Sequence, residues 1–446
     1  MKKDLTKGSV LKGILTLALP IIGAMFMQTA NNVIDIAWIG KISSDAVAGV
    51  GTSSFFIQLV WSICSIFLIG SGILVSQSIG KNNEQQAREY SRESLIALFG
   101  IILLMGVLMQ IFFQPIISFF NFEKPIVEDY AYTYLTWMSG FLFFSLTVLL
   151  MTQISNARGD SKTSLKYSTI GVFINLVLDP LFIFTFDLGV MGAALATGVA
   201  QFITLFLFLK RYAKAFFGDR EEWIFRFEKV GEIFKVGFPA SLQRILFTLV
   251  GIAIAKIVSE WGSDAIAAQK IGNQVEGITY MCIGGLSSAM MSFTGQNFGA
   301  KQYKRIEEGY KNAMAFTILI GLINGAFFYI FSESLIQLFV SEKDTIAMGA
   351  SYLEILGIAQ VFMCVEMVTS GIINGLGKTK YPAYINISMT VIRIPMALYF
   401  AKNLGLGIDG VWLSIGVSMF LRAVCLTIAY NYTRNKVILK LKNEVS

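Results

Sequence analysis

The chain predicts an all-α polytopic membrane protein of about twelve transmembrane helices, and three observations predict it. Its 446 residues are 55% hydrophobic and 15% charged, with a mean hydropathy of +0.64, whereas soluble domains carry about 25% charged residues. Apolar stretches recur along the whole length, each able to cross a hydrocarbon core of about 30 Å as a helix of about 20 residues. Basic residues crowd every second loop, the mark of loops that face the cytoplasm.

Spans are placed near 13–39, 52–78, 94–117, 131–155, 165–186 and 190–210, then near 234–259, 266–294, 312–331, 348–373, 383–402 and 409–431. Lys81, Arg88 and Arg92 follow the second span, and Arg158, Lys162 and Lys166 the fourth. Lys210, Arg211, Lys214, Arg220, Arg226 and Lys229 join the halves; Lys301, Lys304, Arg305 and Lys311, then Lys378 and Lys380, continue the series. The opposite loops hold Lys41, Lys124, Lys343 and Lys402. Both termini are lysine-bearing, so the bias places them in the cytoplasm of a multi-pass protein of the cell (plasma or inner) membrane. A miscounted span would invert every later loop and destroy the alternation. The net charge of +7 is thus topological, and no nucleic-acid partner is expected. Cys64, Cys282, Cys364 and Cys425 lie in apolar runs without CxxC spacing and serve as buried hydrophobes. The lysines before the first span imitate a signal peptide, but no small-residue cleavage site follows Met27, so an uncleaved first span is expected.

The two halves repeat. Pro20 and Pro239, and Gly80 and Gly299, are 219 residues apart, while Gly159 and Gly377, and Gly189 and Gly407, are 218 apart. Ser44-Asp45-Ala46 recurs as Ser263-Asp264-Ala265, and Leu188-Gly189-Val190-Met191-Gly192 as Leu406-Gly407-Ile408-Asp409-Gly410. A fixed register over so many anchors is not chance. Six spans separate mates, an even number, so the expectation is two parallel six-helix bundles related by a pseudo-two-fold axis along the membrane normal, with a substrate cavity between them. The predicted lobes are 1–212 and 232–446, joined by a cytoplasmic linker at 213–231.

An ionisable group within a span is costly and points to function. At 1.5 Å per residue, Asp35 lies roughly 8 Å, and Asp179 and Thr197 roughly 12 Å, from the outer ends of their spans. Asn175 is one turn deeper than Asp179 on the same stripe. Pro180 leaves the Leu176 carbonyl without its helical donor. Two carboxylates, an amide, a hydroxyl and a bare carbonyl form an oxygen-rich site for a proton or Na⁺, and close carboxylates would share a proton that a cation displaces. The bland readings are an interfacial residue for Asp35 and a structural bond at a kink for Asp179. The repeat supplies an internal control, because Asp35, Asn175 and Asp179 are mated with Ile254, Arg393 and Ala397. The second half carries instead Arg244, Lys256, Lys270, Glu276, Glu366, Arg393 and Arg422. Glu276 is its cavity candidate, with a salt bridge to an arginine as the alternative. No histidine is present, and no GxSxG, Walker or GxGxxG arrangement stands between strand and helix, so an enzyme is not expected.

These residues resemble the multidrug and toxic compound extrusion (MATE) family, bacterial and archaeal branch. The likeness rests on Leu19-Pro20, Asp35-Ile36-Ala37-Trp38-Ile39-Gly40, Asn156-Ala157-Arg158-Gly159-Asp160, Gly295-Gln296-Asn297-Phe298-Gly299-Ala300 and, above all, Asn175-Leu176-Val177-Leu178-Asp179-Pro180 followed by Thr197. It implies export of cationic amphipathic drugs in exchange for H⁺ or Na⁺ by alternating access, by a monomer in the lipid bilayer, with no cofactor beyond the coupling ion. Asp35, Asn175, Asp179 and Thr197 become the coupling residues, with Na⁺ at Asp35, Asn175 and Asp179, and Gln28 and Asn31 become substrate contacts. Arg244 departs from members with an acidic residue in the seventh span. Together with Arg393 it keeps open a basic cavity, and with it the alternative of a lipid-linked sugar or polysaccharide flippase of the same superfamily. Glu276 and Arg244 are the second half's substrate-binding candidates.

Overall fold

A computed structural model describes residues 4–118, 124–217 and 226–439. The first half runs α1 (Val10–Gly40), α2 (Ser44–Gly80), α3 (Glu84–Ser118), α4 (Pro125–Ala157), α5 (Ser161–Pro180) and α6 (Gly189–Phe217). The second runs α7 (Phe227–Val258), α8 (Ser263–Gly299), α9 (Tyr303–Ile330), a short α10 (Ser332–Gln337), α11 (Lys343–Gly375), a broken pair α12 (Lys380–Val391) and α13 (Arg393–Leu398), and α14 (Gly407–Thr433). Part of the expected linker, residues 218–225 with Arg220, lies outside the described residues.

The repeat extends to the lengths of several helices. α2 and α8 are each 37 residues long, and α4 and α11 are each 33. α5 and α13 both run into a five-residue π turn, Leu181–Thr185 and Tyr399–Asn403. Turn geometry recurs as well: φ is +81° at Gly159 and +75° at Gly377, and +53° at Gly189 and +58° at Gly407. These pairs need a left-handed conformation, which glycine adopts without steric cost. The mated turn after α2 and α8 reaches +56° and +59° on Asn82 and Lys301.

Among the described residues, eleven helices are long and apolar enough to cross a membrane. The exception among the twelve expected spans is α8, which has the length but carries Gln269, Lys270, Asn273, Gln274 and Glu276 in its N-terminal half.

By packing, the residues divide into two units, one built on Leu19–Ser241 and the other on Leu5–Ala18 and Leu242–Ser446. Residues 5–18 pack with the second half, and the stretch of α7 up to Ser241 packs with the first. Bonds local to each unit explain this. In the second, Asn297 Nδ2 donates to the Leu5 carbonyl at 3.2 Å and Arg305 Nη1 to the Gly8 carbonyl at 2.7 Å. In the first, Ser241 Oγ donates to the Ser62 carbonyl at 2.5 Å, and Tyr90 donates to Glu232. Gly237 lies so close to the Ile66 backbone that any Cβ there would overlap its carbonyl. Small residues permit such backbone approach between membrane helices. The first unit's core joins Cys64, Phe67 and Val75 of α2, Leu98 of α3, Leu142, Leu146 and Ile154 of α4, Phe208 of α6 and Ile233 of α7.

Candidate functional site

The two acids of the first unit are held by the same local device. On α1, Asn31 Nδ2 donates to Asp35 Oδ2 at 3.0 Å. On α5, Asn175 Nδ2 donates to Asp179 Oδ1 at 3.2 Å. In each case an amide one turn earlier lies on the same helical face as the acid and orients it. Asp179 and Asn175 are 1% and 3% exposed, and Asp35 is half-buried. The two carboxyl groups face each other within hydrogen-bonding reach, and the Tyr134 phenol of α4 lies in the field of both.

What these groups lack is positive charge. Among the described residues no lysine or arginine pairs with either acid. Asp35 Oδ1, Asp179 Oδ2 and Asn175 Oδ1 are buried acceptors without a donor. Buried acceptors are normally satisfied, and a buried carboxylate normally has a counter-charge. Three such oxygens in one cluster can accept a proton or ligate a small hard cation. Asp179 owes its placement to the end of α5, where Pro180 is followed by the π turn rather than by further α-helix; Phe186 N reaches back to the Leu181 carbonyl at 2.9 Å. An apolar cluster of Ile39, Ala46, Val50, Ile183, Val190 and Ala193, with Trp38, Tyr130 and Tyr134 against it, comes from the same elements.

Of the remaining predicted residues, Thr197 is half-buried on α6, which packs on α5, and forms no side-chain hydrogen bond to the acids. Gln28 is exposed, one to two turns from Asn31 and Asp35 on the α1 stripe. Arg244 is exposed on α7. Glu276 is only 4% exposed, and its carboxylate is already occupied: Gln360 Nε2 donates to Oε1 at 3.3 Å, and the Tyr352 hydroxyl stands 3.3 Å from Oε2.

Glu276 is part of a buried polar group in the second unit that sequence reasoning did not assemble. Arg422 Nη1 pairs with Glu366 Oε1 at 2.9 Å, both side chains nearly inaccessible. Arg393 Nε donates to Ser418 Oγ at 3.0 Å. Two acids are thus matched by two guanidinium groups, brought together from α8, α11, α13 and α14. The position of Asn175 is taken by Arg393, and those of Asp35 and Asp179 by buried Ile254 and Ala397, so the second unit does not repeat the uncompensated pair. Tyr134, Gln360 and Tyr352 carried no sequence signal, because their contacts are all tertiary.

The MatE family profile matches residues 20–181 and again 239–399, two stretches that open on the mated prolines Pro20 and Pro239. The chain is similar to a probable multidrug resistance protein NorM of Thermotoga maritima, 28% identical over 92% of this chain and 90% of that one. It is also similar to the probable multidrug resistance protein YpnP of Bacillus subtilis, 27% identical over 98% of each. In three dimensions it superposes on a crystal structure of a mutant of the Vibrio cholerae MATE transporter VcmN with a TM-score of 0.89, at 20% identity over 96% of this chain and 98% of that one. With the profile covering both halves, and the helices and turns repeating in register beneath it, the chain belongs to the MatE family of multi-pass membrane transporters, and its work is transport rather than catalysis.

Proposed function

We propose that the protein is a secondary active exporter that moves small organic compounds, cationic amphipathic drugs among them, out of the cell in exchange for H⁺ or Na⁺ by alternating access. Its relatives NorM and YpnP are named for multidrug resistance. The observation that carries the reading is the Asp35–Asp179 pair, which meets no lysine or arginine among the described residues and keeps buried acceptor oxygens unsatisfied. An uncompensated acid pair inside a membrane span is costly to keep unless a proton or cation visits it.

Asp35 and Asp179 take up the coupling ion, Asn31 and Asn175 orient them, and Thr197 supplies a further oxygen from α6. One bound H⁺ or Na⁺ neutralises one carboxylate, and both acids together have room for a second charge. Gln28, Asn31 and Arg244 contact the substrate. The protein acts as a monomer in the cell membrane with both termini in the cytoplasm. The test is purified protein in liposomes carrying a pH-sensitive or Na⁺-sensitive dye. Addition of substrate should elicit movement of H⁺ or Na⁺ in the opposite direction, and substrate uptake with neither ion moving would refute exchange.

A further inference from the structure

Where α12 begins and α14 ends, the second unit gathers tyrosines and lysines on one surface, and printed contacts join the two helices there. The Tyr381 ring of α12 meets the Tyr432 ring of α14 edge to face, with centroids 6.3 Å apart. Lys436, in the π turn Arg434–Leu439 that follows α14, lies 5.5 Å over the Tyr432 ring, and its Nζ donates to the Tyr432 hydroxyl at 3.2 Å. Tyr384, three residues from Tyr381 and four from Lys380, shares their face of α12, and Lys378 stands just before that helix. All six side chains are exposed.

The end of α14 is held so that these groups point outward. Its other side is closed on α9, with Tyr430 stacked on Tyr310 at 3.8 Å and Arg434 paired with Glu307 at 3.0 Å. Arg434 thus has its counter-charge, whereas among the described residues no carboxylate pairs with Lys378, Lys380 or Lys436. Below Tyr432 the exposed face of α14 continues as Ile428, Val424 and Phe420, spaced four apart. Tyrosines and lysines at helix ends above an apolar stripe stand at the depth of lipid headgroups, where basic groups gathered between helices bind anionic heads.

The repeat shows that the fold does not require this surface. In the first unit the positions of Tyr381, Tyr384 and Tyr432 are held by Thr163, Lys166 and Lys214, and that of Lys378 by Asp160, whose Oδ1 accepts from Thr163 Oγ1 at 2.9 Å. The first unit therefore keeps lysines at this level, but none of the three tyrosines, and it sets an acid where the second unit has a cation.

We propose that this cluster binds an anionic glycerophospholipid, its phosphate taken by Lys378, Lys380 and Lys436 and its acyl chains laid along the apolar stripe of α14. The Tyr432 hydroxyl accepts from Lys436 and so keeps its own proton to donate to a phosphate oxygen. The site lies on the surface of one unit and needs neither substrate nor gradient, so it goes beyond the exporter reading and does not depend on it.

Native mass spectrometry of the purified protein, titrated with dioleoylphosphatidylglycerol or with dioleoylphosphatidylcholine, reads the affinity for an anionic and a zwitterionic head on the same chains. Wild type should bind the anionic lipid about tenfold or more tightly than the zwitterionic one. Lys380→Gln and Lys436→Gln should each lower that ratio about three- to fivefold, and the triple variant with Lys378→Gln should bring it close to unity. Lys162→Gln with Lys166→Gln removes charge from the mated level of the first unit and should leave the ratio unchanged. If the triple variant does not yield folded protein, the two single variants decide, each being required to lower the ratio. A ratio retained in the lysine variants, or lowered as much by the first-unit pair, overturns the site. Displacement of phosphatidylglycerol from wild type by soluble glycerol phosphate would reveal a site for free phosphate and overturns the lipid assignment as well.

Discussion

The two units share a backbone and differ in how they treat buried charge. In the first, Asp35 and Asp179 pair with no lysine or arginine among the described residues, and Asp35 Oδ1, Asp179 Oδ2 and Asn175 Oδ1 are buried without a donor. In the second, Glu276 and Glu366 sit with Arg393 and Arg422, one pair closed at 2.9 Å, and their positions in the first unit are Ile57, Val148, Asn175 and Thr204. A duplicated fold has thus kept several helix lengths and its glycine turns while the two cores took opposite electrostatic solutions. On the reading proposed above, the uncompensated core is the one that takes up the coupling ion. The compensated core holds helices together, because a buried ion pair resists the loss of either partner even when it contributes little net stability.

That contrast breaks most visibly if the acids are removed one unit at a time. Asp35→Asn and Asp179→Asn keep shape and volume, so folded protein should reach the membrane while gradient-driven export drops to the background of cells lacking the protein. The double variant should be no worse than either single, since groups acting as a unit are not additive. Drug-resistance assays with membrane fractionation measure both quantities, and wild-type resistance in either single variant would end the paired-acid account.

In the second unit the same acid-to-amide change should act on stability first. Glu366→Gln leaves the Arg422 guanidinium buried and unpaired, a loss of about 3–5 kcal/mol. It should appear as a lowered melting temperature in detergent and reduced membrane yield. Replacing both partners, Glu366→Leu with Arg422→Met, should return much of that stability. A Glu366→Gln protein as stable as wild type would show that the quartet is not structural.

Where the two units pack alike, matched substitutions should cost alike. Gly192 and Gly410 are mates, and a Cβ on either would meet the π turn before it, at 2.7 Å from Phe182 and 2.6 Å from Ala401. Gly192→Ala and Gly410→Ala should each destabilise by about 1–3 kcal/mol, as overpacking does. Melting temperatures that differ widely between the two would limit the shared backbone to appearance. Smallest is the effect expected for Asn31→Ala, which removes one hydrogen bond to Asp35 and should slow export by several-fold without abolishing it.

Much of this was legible in the residues, for reasons that differ by feature. Spans and loops follow from hydropathy and from lysine and arginine placement, which are local. The repeat follows from glycines and prolines that the backbone needs at fixed places, such as Gly159 and Gly377. Asp35 and Asp179 stood out because charge within a span is costly anywhere, and Asn175 because it lies one turn from Asp179 on the same stripe. Three things were not legible. The packing of residues 5–18 with the second half depends on Asn297 and Arg305, nearly 300 residues away. The partners of Glu276 come from α11, and the matching of Glu366 with Arg422 joins α11 to α14; neither has a sequence spacing that announces it. The π turn after Pro180 was anticipated only as a kink, since proline marks where α-geometry fails but not what replaces it.

The central claim is that coupling resides in the first unit's acid pair and nowhere in the second unit's quartet. The direct measurement is substrate movement in proteoliposomes of wild type, Asp179→Asn and the Glu366→Leu with Arg422→Met variant, each with and without an imposed H⁺ or Na⁺ gradient. Wild type and the quartet variant should accumulate substrate against its gradient, whereas Asp179→Asn should only equilibrate it. Gradient-driven accumulation by Asp179→Asn, or its loss in a folded quartet variant, would contradict the account.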